Sequence, residues 1–130
     1  MPIDASADWR SELGGGTTVA LVQAGVVTRD AGTLQGHVPR SMWHHLVDDE
    51  INPDHTLTQA LNCLLAETPA GRVLVETGIG ERMDDHHMAQ RGVRGKPILP
   101  ALRDGGWDPD SIDYVALSHL HFDHAGGLLA

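Results

Sequence analysis

The 130-residue chain holds a single cysteine, Cys63, so no intrachain disulfide can form and packing alone must hold the fold. Within Leu61-Asn62-Cys63-Leu64-Leu65 that thiol reads as a small buried apolar residue rather than a ligand or nucleophile. Large aromatics are scarce, with one Phe, one Tyr and three Trp, so any core must be built mainly from aliphatic side chains. Basic residues are few. Lys96 is the lone lysine, and nine Lys and Arg face eighteen Asp and Glu, for a formal charge of -9. The arginines are scattered, with no stripe of cations to hold phosphates, which argues against a nucleic-acid partner. No apolar run is long enough to span a membrane. The opening Met1-Pro2-Ile3-Asp4-Ala5-Ser6-Ala7-Asp8 lacks the basic and apolar regions of a secretory leader. Together with one reduced thiol, these absences point to the cytoplasm.

What the chain does have is concentrated near its C-terminal end. Ser118-His119-Leu120-His121-Phe122-Asp123-His124-Ala125-Gly126-Gly127 places three histidines and a carboxylate within six positions. The preceding Ile112-Asp113-Tyr114-Val115-Ala116-Leu117 reads as a buried strand. In extended backbone His119 and His121 project to one side, and a turn can bring Asp123 and His124 round to join them. Imidazole nitrogens and a carboxylate oxygen suit zinc or another first-row divalent metal such as manganese or iron. The spacing is not that of a helical HExxH site. A group of solvated loop histidines is the bland alternative, and clustering such polar groups without a common partner would be costly. Gly126-Gly127 lets backbone pass close to the cluster, with a helix expected from Leu128.

Elsewhere the pattern is that of one domain with turns between strands. Residues 1–16 read as a flexible lead-in ending in Gly14-Gly15-Gly16, with order expected from Thr17. Thr18–Val22 and Gly25–Thr28 read as strand, and Arg29-Asp30-Ala31-Gly32 as a turn. Residues 58–67 and 72–76 form an expected hairpin about Thr68-Pro69-Ala70-Gly71. Pro97–Leu102 starts an amphipathic helix closed by Gly105-Gly106. His37, His44, His45, His55, His86 and His87 could in principle supply further ligands but repeat no ligand spacing; His44 and His45 are expected at the surface, and His86 and His87 in a solvated loop or short helix.

The segment 118–127 resembles the hallmark motif of the metallo-β-lactamase superfamily. Asn62-Cys63-Leu64-Leu65, a turn, and Arg72-Val73-Leu74-Val75-Glu76-Thr77-Gly78-Ile79-Gly80 resemble the same superfamily's paired strands ending in an acidic-Thr-Gly loop, in the same order. The likeness is greatest to the branch that includes lactonases of acyl-homoserine lactone signals, with Trp43 and Gly36-His37-Val38-Pro39 fitting more loosely. It implies an α/β (α+β) fold, the N-terminal half of an αββα four-layer sandwich over residues 17–130, ending after the HxHxDH motif. One apolar sheet face would then lack its partner, favouring a homo-oligomer. It implies that His119 and His121 bind one zinc and that Asp123 and His124 bind a second. A hydroxide bridging the metals would attack a carbonyl of a small ester-like substrate, favoured to be a lactone, while Asp123 handles the proton passed to the leaving group. Thioesters and β-lactams are the alternative substrates within the family, and a non-catalytic metal-binding fragment is the alternative outside enzymology. The remaining ligands of a two-metal site come from downstream in the family, so the isolated chain is expected to be inactive. Glu76 stands where the family usually carries aspartate, as a group that would orient ligand-bearing backbone or a ligand imidazole.

Overall fold

The computed structural model describes residues 9–129. Its architecture is mixed α/β. Five strands, β1 (Arg10–Gly14), β2 (Thr17–Asp30), β3 (Thr56–Thr68), β4 (Gly71–Val75) and β5 (Tyr114–Ala116), form one sheet in the order β1-β2-β3-β4-β5. The first three pairings are antiparallel and β4–β5 is parallel. The short helices are α1 (Ala31–Leu34), α2 (Arg40–Trp43), α3 (Asp85–Gln90), α4 (Ile98–Asp104) and α5 (Phe122–Ala125).

Alternation along β2 and β3 sets the core. Ala20 opposes Leu65 and Val22 opposes Cys63 in the register, and all four side chains are buried. A bulge between Gln23 and Val26 shifts the register and keeps Val27 in the same core, where a regular ladder would have turned it away. Ile98 and Leu102, one turn apart on α4, close over this face together with Trp107 and Ile79. Each is almost wholly buried, a contribution of about 1.5–3 kcal/mol apiece. The opposite face is more open, with Leu21 39% exposed. A smaller cluster of Ala31, Trp43 and Leu57 gathers the polar 31–51 segment, and the Trp43 indole N–H donates to Val38 O at 3.1 Å. No helix among the described residues is long and apolar enough to cross a membrane.

Four expectations are corrected. Among the described residues regular structure starts at Arg10, not Thr17: Gly14, Gly15 and Gly16 all have positive φ and make the tight turn of a hairpin, pairing Arg10–Glu12 with Thr18–Ala20. Arg10 is held further by its guanidinium lying 4.3 Å over the Trp107 ring and donating to Gly105 O. The rest of the expected lead-in, residues 1–8, lies outside the described residues. Second, the strand before the histidines is short and exposed rather than buried, with Tyr114 61% and Val115 43% exposed. It pairs only with β4, and the described residues put nothing on its other edge. Third, the helix expected from Leu128 starts inside the motif, as α5, and continues as a 3-10 turn over Gly126–Leu129. The expected turn at Arg29–Gly32 is the start of α1, because Asp30 accepts the Thr33 N–H at 2.8 Å and caps it.

The β3–β4 hairpin and the α4 helix stand where the pattern puts them. Cys63 is 1% exposed. Burial, and secondarily the negative charge of Glu76, push its thiol up to about 12. The folded chain is therefore expected to react negligibly with a thiol-specific disulfide reagent at pH 8, and stoichiometrically once unfolded in urea. Rapid labelling of native protein would contradict this burial.

Candidate metal centre

The cluster is assembled by two loops that leave the same end of the sheet. β4 runs into Glu76-Thr77-Gly78, and parallel β5 runs into Ser118-His119, so their C-terminal ends lie side by side. Glu76 has φ of 67°, the left-handed region that L-residues seldom occupy. The turn aims its carboxylate across to the neighbouring loop. Oε1 accepts the Ser118 backbone N–H at 2.7 Å, and Oε2 lies 2.9 Å from His124 Nδ1. Partial burial works against ionisation of Glu76, but hydrogen bonds from Ser118 and the His124 imidazole hold its carboxyl below the usual glutamate range. An ionised carboxylate only accepts, so His124 Nδ1 carries the proton, and in the neutral imidazole this leaves the Nε2 lone pair for another partner. Glu76 thus holds both the backbone of the motif loop at Ser118 and the His124 imidazole.

Thr77, 2% exposed, completes the join. Its backbone N–H and its hydroxyl both donate to His124 O, at 2.8 and 2.7 Å. Gly126 and Gly127 pack so closely that a Cβ on either would meet Ile79 O at 2.1 Å or Thr77 O at 2.2 Å. Only glycine lets the motif loop lie flat on the 77–79 backbone.

The four expected donors are brought together. The His119 ring centroid is 4.5 Å from that of His121 and 4.1 Å from that of His124. Asp123 Oδ2 is 3.7 Å from His124 Nε2. Even so, no group of three or more His, Cys, Asp or Glu among the described residues is arranged about a common metal position. His119 Nε2 and His121 Nδ1 touch at 2.9 Å. Two nitrogens on one tetrahedral zinc stand about 3.3 Å apart. The donors suit a borderline divalent ion in kind, and the imidazoles must part slightly before they could share one. Four of the six histidines outside the motif have local partners instead: His44 with Asp48, His55 with Arg40, His86 with Gln90, and His87 with Asp84, the cap of α3.

One neighbour escaped sequence reasoning. Arg29, at the end of β2, reaches Asp123 Oδ2 at 3.4 Å. Nothing in its local sequence signals this, because only the β2–β3–β4–β5 order brings the end of β2 to the motif loop.

Comparisons with known proteins identify the family and the fold. Residues 59–130 match the family model described as metallo-beta-lactamase superfamily. The chain is 35% identical over 96 residues to the N-acyl homoserine lactonase AiiA of Bacillus thuringiensis subsp. kurstaki, covering 65% of this chain and 38% of that relative. It is 33% identical over 92 residues to an N-acyl homoserine lactonase of Bacillus cereus, covering 62% of this chain and 37% of the other. The structure superposes on a probable metal-dependent hydrolase from Staphylococcus aureus with TM-score 0.76 at 27% identity, over 88% of this chain and 41% of that one. It superposes on AidC, described as a dizinc quorum-quenching lactonase, with TM-score 0.73 at 25% identity, over 96% of this chain and 40% of that one. The chain therefore spans about two fifths of the length of the proteins it matches.

Proposed function

Since the chain belongs to the metallo-β-lactamase superfamily, we propose that it forms part of a zinc-dependent hydrolase acting on a small lactone of the N-acyl homoserine type. The observation that carries this is the Glu76 bridge, whose two oxygens hold the Ser118 N–H and the His124 imidazole while His119, His121 and Asp123 gather beside it. His119 and His121 would hold one ion, and Asp123 and His124 a second. When bound, a divalent metal supplies Lewis acidity toward a carbonyl oxygen and makes water acidic enough to act as a nucleophile near neutral pH. Glu76 keeps the His124 lone pair directed away from itself and available as a ligand. The Asp123 carboxylate, adjoining that imidazole, would carry a proton to the leaving alkoxide. Lactonase relatives favour a lactone over the thioester and β-lactam alternatives, and zinc over manganese or iron is favoured by the dizinc neighbour.

The four donors are fewer than a two-metal hydrolytic site uses, so the 130-residue chain alone is expected to open N-hexanoyl-homoserine lactone no faster than zinc in buffer. A chimaera in which it replaces the matching segment of the B. thuringiensis lactonase is expected to hydrolyse the lactone, with activity lost in Asp123→Ala. A folded, metal-loaded chimaera that cleaves a thioester or β-lactam but not the lactone would refute the substrate assignment.

A further inference from the structure

Arg29 and Asp123 are 94 positions apart in the chain, yet the guanidinium Nη2 lies 3.4 Å from Asp123 Oδ2. The pair is partly buried, with side chains 28% and 21% exposed. The same guanidinium stands 5.2 Å from the centroid of the Phe122 ring, and that of Arg91 stands 4.4 Å from it. The Thr28 N–H donates to Arg91 O at 3.1 Å, tying the two cation-bearing segments together. One aromatic ring of the motif is thus in contact with arginines from two elements, an attraction of the ring quadrupole for each charge. Among the described residues Asp123 is the carboxylate paired with Arg29. A guanidinium there already does the electrostatic work of a cation.

We propose that the Arg29 guanidinium competes with a metal for the Asp123 carboxylate, so that a metal is taken up at Asp123 by displacing it. The proposal rests on the metal reading given above. Phe122 gives the displaced guanidinium a second resting place, since it already lies over that ring.

Magnitudes decide what removing Arg29 does. The lost restraint on Asp123 weakens metal binding by at most about threefold, the number of staggered wells open to χ1. The lost repulsion strengthens it by roughly tenfold at low salt, since a unit charge about 5 Å from a dication opposes it by that much even at the dielectric of water. Repulsion wins. An arginine with a merely structural role would give the opposite sign or no change.

The test is a titration of the 130-residue chain with Co²⁺ alone at low ionic strength, followed by visible absorption. Arg29→Met is expected to bind roughly 3- to 10-fold more tightly than the parent and Arg29→Lys close to it, with the difference shrinking near 1 M salt, where the Debye length falls to about 3 Å. Unchanged or weaker binding by Arg29→Met overturns the proposal. A second measurement needs no metal: the Arg29 Nε–Hε resonance is expected to shift and exchange faster in Asp123→Asn but not in Asp113→Asn. Insensitivity to Asp123→Asn would show that the pair does not exist in solution and would also overturn it. If the resonance responds but no variant takes up Co²⁺, the metal reading itself fails and displacement falls with it. If Co²⁺ binds and Arg29→Met is the weaker binder, displacement alone fails.

Discussion

Gly127→Ala is expected to destabilise the chain by about 3–5 kcal/mol, against a typical total of about 5–15 for a domain. The new methyl would sit 2.2 Å from Thr77 O and 3.0 Å from both Thr77 Cβ and Ile98 Cγ2. The nearest obstacle is backbone, so no rotamer change relieves it. The motif loop must lift off, and lifting it breaks the two bonds from Thr77 to His124 O, each worth about 1 kcal/mol. It also disturbs Ile98 at the centre of the core. Gly106→Ala provides the comparison. Its φ is +86° and nothing lies within 4 Å of a Cβ there, so the cost is left-handed strain alone, about 1–2 kcal/mol. Urea unfolding of both variants separates the two effects. A Gly127→Ala protein within about 1 kcal/mol of the parent would mean that the loop does not pack against Thr77 in solution.

This join between loops explains what sequence could and could not reveal. The HxHxDH residues were legible because their chemistry is local: donor types, spacing and a following Gly-Gly all lie within ten positions. The β3–β4 hairpin was legible because alternation and a Pro-containing turn specify it locally. The hairpin of Arg10–Gly14 was missed because three glycines signal both flexibility and a tight turn, and the choice depends on what β2 offers across the ladder. Burial of β5 was misjudged for a related reason, since Tyr114 and Val115 advertise a core strand while burial depends on what lies on its far edge. Arg29 was invisible because its contact with Asp123 is made by sheet topology, across 94 positions.

Glu76 separates stability from ligand geometry, and two substitutions should show this. Glu76→Ala removes acceptors for the Ser118 N–H at 2.7 Å and for His124 Nδ1 at 2.9 Å. Bonds to a charged group contribute about 1.5–3 kcal/mol each, so a loss of about 3 kcal/mol is expected by urea unfolding. Glu76→Gly should recover about 1 kcal/mol of that loss, because the 67° φ strains any side chain but not glycine. Glu76→Gln keeps the length and can still accept from Ser118, so stability should change by less than about 1 kcal/mol. It loses the charge that fixes the proton on His124 Nδ1, however, and its amide can present a donor there instead. The imidazole is then free to take the tautomer with Nε2 protonated, which leaves Nε2 without a lone pair for a metal. Partners of this kind typically govern metal affinity by about 10- to 100-fold. Glu76→Gln should therefore bind Co²⁺ 10- to 100-fold more weakly than the parent while unfolding at nearly the same urea concentration. Parental Co²⁺ affinity in Glu76→Gln would show that the bridge serves only the fold, and that a negative charge at this loop is not what prepares His124.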